Sequence, residues 1–157
     1  MKVVILQVGK TTMPAVQSLC SEYQKRLQRY VGLEITVIPD LKNTKNLRPQ
    51  QVKELEGERL LKELKAGDHV LLMDEKGKEF TSRGWAQNLQ KIMNGGPHRL
   101  VFVIGGAYGF SPAVYQKAQG KVALSQMTFS HQIVRALFME QLYRAFSILN
   151  NDPYHHS

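Results

Sequence analysis

One cysteine, one tryptophan and no long apolar run: this 157-residue sequence is defined first by what it lacks. A lone Cys20 excludes an intrachain disulfide and a cysteine-built zinc cluster. It fits a reducing, cytoplasmic setting, with the thiol as a small apolar side chain. No apolar stretch approaches the ~18 residues that a membrane span requires. The opening MKVVILQVGK has too short an apolar run for a secretory leader, so none is expected. Acidic residues are scarce: 13 Asp and Glu stand against 21 Lys and Arg, giving a net charge of +8. The excess is uneven, with +5 in residues 1–50, zero in 51–96 and +3 in 97–157. A basic protein concentrates polyanions around itself, so a nucleic acid is a candidate partner. A basic membrane-surface helix is disfavoured, because the cations are spread over several elements.

What is present suffices for one compact domain spanning residues 1–157. Hydrophobic residues make up 43%, enough to fill a core. Apolar, β-branched runs at Val3–Val8, Leu33–Ile38, His69–Met73, Leu100–Ile104 and Val122–Leu124 read as strands. Between them lie helical stretches: Pro14–Tyr30 with Val16, Leu19, Tyr23 and Leu27 inward, Pro49–Lys65 with a stripe through Val52 and Leu55, and Ser82–Met93. A short helix from Ser111-Pro112 to Gln119 follows the fourth strand, and Ile133–Leu149 closes the series. Five alternations of strand and helix predict an α/β domain with a parallel sheet covered on both faces.

Ligands of parallel sheets gather at the carboxyl ends of the strands. Three such ends stand out: Met73-Asp74-Glu75-Lys76-Gly77, Gly105-Gly106-Ala107-Tyr108-Gly109, and Ser125-Gln126-Met127-Thr128-Phe129-Ser130. Adjacent glycines let backbone approach a ligand, or simply close a tight turn. Their GGxxG order and late position do not match a dinucleotide fingerprint, and no P-loop Lys-Ser/Thr follows. The third segment offers backbone groups to an adenine edge, or is a helix entry with Ser130 as cap. Glu140 and Arg144 have i, i+4 spacing, which suits a helix ion pair. His131 begins the last helix. The tail Asn151-Asp152-Pro153-Tyr154-His155-His156 carries an aromatic ring and imidazoles that can stack on a base and move a proton. No metal site is expected, since adjacent His155 and His156 rarely point the same way and no carboxylate cluster completes a set.

The opening MKVVILQVGK, the segment VFVIGGAYGFSPAV and the stretch from ALSQMTFSHQIVRALFMEQLYRAF to the terminal NNDPYHHS together resemble the RlmH family of SPOUT methyltransferases, essentially end to end. The resemblance implies a trefoil-knotted sheet, a homodimer with active sites at the subunit junction, and S-adenosylmethionine bound in a bent form. It places cofactor contacts at Met73, Gly105, Gly106 and Ser125, Gln126, Met127, Thr128, Phe129 and Ser130. The family pattern differs at Ala107-Tyr108 and after His155. The implied reaction is methylation of N3 of a pseudouridine in 23S rRNA on the assembled ribosome, a cytoplasmic activity. Arg144, Tyr154 and His155 match the family's terminal motifs and are the expected catalytic group, with His131 and Arg135 behind them. His155 or a bound water would take the imide proton while Arg144 steadies the anion. Lys42–Arg48, and Lys25, Arg26 and Arg29, are candidate rRNA-facing surfaces. The alternatives are a related enzyme acting on tRNA, and a non-catalytic RNA-binding module.

Overall fold

The protein is described by a computed structural model covering residues 1–156. Five strands, β1 (Lys2–Val8), β2 (Gly32–Ile38), β3 (His69–Glu79), β4 (Arg99–Ile104) and β5 (Gly120–Ala123), form one sheet in the order β2-β1-β4-β3-β5. Every pairing is parallel, as the alternation predicts. The helices are α1 (Pro14–Leu27), α2 (Pro49–Glu63), α3 (Ser82–Asn94), α4 (Pro112–Lys117) and α5 (Ile133–Leu149).

Strand periodicity sorts the core into two layers, because successive side chains point to opposite faces. Val3, Ile5, Leu71, Leu100 and Phe102 meet α1, α3 and α5 through Leu27, Trp85, Leu89, Phe138 and Leu142. Val4, Leu6, Val70, Leu72 and Val101 meet α2 and α4 through Leu60 and Val114. Phe102 and Phe138 are fully buried with ring centroids 4.7 Å apart, and such a pair adds about 1 kcal/mol to the area it buries.

The structure corrects four details of the sequence reading. Helix α1 stops at Leu27, and residues 28–30 form a turn in which Tyr30 and Val31 N–H groups both reach the Leu27 carbonyl. Its inward stripe runs Val16, Cys20, Tyr23 and Leu27, while Leu19 is 49% exposed. On α2 the buried stripe is Val52, Glu56 and Leu60, spaced four apart, and Leu55 lies outside it. Strand β3 does not end at Met73. It pairs with β5 through Leu71–Met73, makes an irregular excursion at 74–77, and pairs again at Lys78 and Glu79. Both Met73 and Lys78 are partners of Val122. Gly77 makes this close approach possible: a Cβ there would sit 2.6 Å from the Lys121 carbonyl carbon and the Val122 nitrogen.

Candidate active site

The carboxyl ends of β3, β4 and β5 converge on a cleft of about 450 Å³, a size suited to a small ligand. Met73, Asp74, Glu75 and Lys76 form one wall. The turn from Ile104 to Phe110 forms the second, and Ser125, Met127, Thr128 and Phe129 the third. His131 and Val134, at the start of α5, close the end. The expected contacts Met73, Gly105, Gly106, Ser125, Met127, Thr128 and Phe129 are thus brought together. Gln126 and Ser130 belong to the same segment but do not line the cleft. The Ser130 hydroxyl instead accepts the Ile133 N–H at 3.1 Å, as a helix-entry residue would.

Two glycines sit against close neighbours, and the contact is the stiffer at Gly105, where the neighbour is a ring. A Cβ at Gly105 would lie 2.9 Å from the Phe110 ring, and one at Gly106 would lie 2.8 Å from a Glu56 carboxylate oxygen. Glu56 is a functional neighbour that sequence reasoning missed. It is buried beneath the glycine turn and makes no hydrogen bond among the described residues. Burial, with Asp40 nearby, raises its pKa above the usual carboxylate value. Its only sequence signal is position: it falls on the apolar stripe of α2, between Val52 and Leu60. Across the cleft, Tyr115 donates to Asp74 and Thr128 donates to Glu75, tying the walls together. Burial first, then Asp74, push the Tyr115 hydroxyl up to about 12, so it stays a donor.

The start of α5 is fastened to the chain leaving β1. Arg135 is 1% exposed and donates to the carbonyls of Val8 (2.7 Å), Gly9 (2.9 Å) and His131 (2.9 Å), and to Thr11 Oγ1 (2.9 Å). Gln132 accepts the Thr12 N–H at 2.8 Å and donates to the Lys10 carbonyl at 3.0 Å. Arg135 is therefore a buried brace, and its guanidinium does not face the cleft. Cys20, beside it, has its thiol pushed up by burial against the opposing pull of Arg135, which leaves it unreactive.

The terminal group assembles elsewhere. Arg144 donates to Glu140 Oε1 from Nε (3.0 Å) and Nη2 (2.5 Å), and stands 4.7 Å over the Tyr154 ring. Its Nη1 is 3.1 Å from His155 Nδ1. A guanidinium only donates, so Nδ1 accepts and the neutral ring carries its proton on Nε2. Desolvation and Arg144 lower the His155 pKa, which keeps that ring neutral at pH 7. The Tyr154 hydroxyl contacts Tyr23 and Glu140 Oε1, each at 3.2 Å, and burial with these neighbours raises its pKa. Tyr30 donates to Asp152, which anchors the tail on the turn after α1. Arg144, Tyr154 and His155 are thus one cluster, but none lines the cleft. Ten residues of α5 separate Arg144 from Val134, about 15 Å along the axis.

Comparison with known proteins decides the family. Residues 1–155 match the profile of a family described as predicted SPOUT methyltransferases. Proteins named Ribosomal RNA large subunit methyltransferase H from Flavobacterium johnsoniae and Parabacteroides distasonis are each 54% identical over 156 residues, covering 99% of both chains. That of Christiangramia forsetii is 51% identical over the same span. The chain belongs to the RlmH family of SPOUT methyltransferases. In RlmH terms, the cleft carries seven of the nine residues expected at the cofactor, all but Gln126 and Ser130, and the α5–tail cluster carries those expected at the reaction. No helix among the described residues is long and apolar enough to cross a membrane. Among those residues no group of three or more His, Cys, Asp and Glu is placed to hold a metal ion.

Proposed function

We propose that residues 1–157 form one SPOUT domain that methylates N3 of a pseudouridine in 23S rRNA on the assembled ribosome. S-adenosylmethionine is the methyl donor, and the working unit is a cytoplasmic homodimer. The observation that carries the reading is the pairing of a glycine-walled cleft at the strand ends with an Arg144–Tyr154–His155 cluster on a separate part of the same chain.

The cleft fits the cofactor. Its volume is adequate, and a side chain at 105 would press on the Phe110 ring. Acidic Asp74 and Glu75 stand at the wall where a cationic ligand would lie. When bound, the cofactor supplies a methyl group already activated on a sulfonium. Positioning then matters more than acid chemistry.

The imide N3 is a poor nucleophile until its proton leaves. In the observed arrangement His155 offers an Nε2–H rather than a lone pair. This favours a bound water as the proton acceptor, with His155 and Arg144 stabilising the charge that develops on the imide. Tyr154 holds the cluster together through Glu140 and stacks against Arg144. None of Arg144, Tyr154 and His155 lines the cleft of its own chain, and the cleft of one protomer is completed by the tail of its partner. Exposed Met127, Phe129, Ile133 and Leu137 form an apolar strip beside the cleft that suits a two-fold contact. We further propose that the chain leaving β5 is threaded through the loop closed by β3 and α3, with Gly77 at the crossing.

Radiolabelled S-adenosylmethionine, offered with assembled ribosomes, free subunits or bulk tRNA, tests the reaction. Label on a large-subunit pseudouridine, with assembled ribosomes preferred, supports the reading. Label on tRNA replaces the substrate. Arg144→Ala, Tyr154→Phe and His155→Ala should each lose turnover and keep cofactor affinity, and full activity in all three removes the cluster from the reaction. Mixed dimers of a tail variant with a cleft variant should recover about half of wild-type activity, since one composite site is intact.

A further inference from the structure

Beside the cleft lies a second depression, a groove of about 630 Å³ along β5 and facing α3. Its floor includes Leu71, Phe80, Ile92 and Val122. Four lysines, Lys76, Lys78, Lys91 and Lys121, line it, and no Asp or Glu does. All four are exposed, and none forms an ion pair among the described residues. Four cations elsewhere are held by acids: Lys2 by Glu34, Arg26 by Glu22, Arg99 by Asp68 and Arg144 by Glu140. Two of the four stand over rings, Lys78 at 5.0 Å from the Phe80 centroid and Lys121 at 5.4 Å from that of Tyr115. Lys76 and Val122 line both the groove and the cleft, so the two are continuous.

A groove lined by four lysines and no acid carries a positive potential that draws an anion to it. Their number and the lack of any acid fit a polyanion rather than a single small ligand. The continuity through Lys76 means that a chain whose base enters the cleft can pass directly into the groove. We propose that this groove binds the phosphodiester backbone of the rRNA segment next to the methylated base. The inference rests on the function proposed above and assigns it a binding surface. The basic face of α1 is a weaker candidate, because Arg26 is already engaged by Glu22 and stands over Tyr23 and Tyr143.

The test is the triple variant Lys78→Gln/Lys91→Gln/Lys121→Gln in the full chain. Lys76 stays, since it also lines the cleft. Cofactor affinity is measured by calorimetry, association state by sedimentation equilibrium, and methylation of assembled ribosomes over a salt series. The expected result is an unchanged cofactor Kd, an unchanged association state and a kcat close to wild type. KM for ribosomes should rise about tenfold or more near physiological salt, and the slope of log(kcat/KM) against log salt should become shallower by about 2. The Lys→Arg triple should restore the wild-type KM. A triple variant with wild-type KM and salt slope, or one whose association state changes, overturns the proposal; the second result would make the groove a protein interface. Failure of the wild-type protein to methylate any rRNA is a different outcome, which takes down the function reading and the groove together.

Discussion

Replacing Arg135 by methionine should unfasten α5 from the end of β1. Methionine retains most of the aliphatic volume, so the loss is electrostatic rather than a cavity. The carbonyls of Val8 and Gly9 lose donors at 2.7 and 2.9 Å in a site that is almost wholly buried. Leaving a buried acceptor unpaired costs about 1–3 kcal/mol each. Removing a buried cation that has no carboxylate partner offsets part of this. A net loss of about 2–4 kcal/mol follows, or roughly 5–15 °C in melting temperature for a chain of this size. Urea unfolding at a fixed protein concentration reads it, the concentration being held because association couples to stability. Arg135 also donates to the His131 carbonyl, which sits at the cleft end, so cofactor affinity should weaken in the same variant. Arg135→Lys should fall between the two, since one ammonium cannot span all four acceptors. A methionine variant within 1 kcal/mol of wild type, with cofactor affinity unchanged, would refute the brace.

Gly105→Ala should weaken cofactor binding, because its methyl would lie 2.9 Å from the buried Phe110 ring and the turn would have to shift, and calorimetry on the variant decides. Methylation should fall on the acid side as pH drops through the lowered pKa of His155, below 6.5: protonating Nδ1 removes the acceptor that Arg144 holds, and a His155→Gln variant should lose that limb. Asp68, whose ionisation burial opposes but Arg99 and the Lys65 amide more than restore, has a lowered pKa. Its stabilising contribution is full above the ordinary carboxylate value near 3.8 and is lost as pH falls through the lowered one, so Asp68→Asn should remove that part of the acid sensitivity seen in urea midpoints. Gly77→Ala should destabilise the fold, because its methyl would meet the β5 backbone, and chemical denaturation checks this.

Much of the architecture was legible in the sequence because burial leaves a periodic trace. Leu100–Ile104 is buried on both faces and reads as unbroken apolar residues, and α5 repeats Phe138, Leu142 and Phe146 at helical spacing. The glycine turn and the Ser125–Ser130 segment were visible as residue types that leave backbone open after a strand. What the sequence could not carry is contact between distant positions. Nothing local marks Gly77 as the point where β3 packs against the β5 backbone. Glu56 looks like one more solvated glutamate of a charged helix until the turn at Gly106 is placed over it. Arg135 reads as a candidate for chemistry, and only the arrival of the β1 carbonyls turns it into a brace.

The sequence by itself determined the parallel α/β class and the family, and singled out the residues proposed for both clusters, because each is written in nearest-neighbour pattern or motif. The tertiary structure alone decided that the cleft and the Arg144–Tyr154–His155 cluster lie apart on one chain. It also placed His155 Nδ1 against the Arg144 guanidinium and brought four lysines to one groove beside the cleft. Those facts depend on distances between residues far apart in sequence, set by helix rise, strand order and side-chain packing, and no local pattern encodes them.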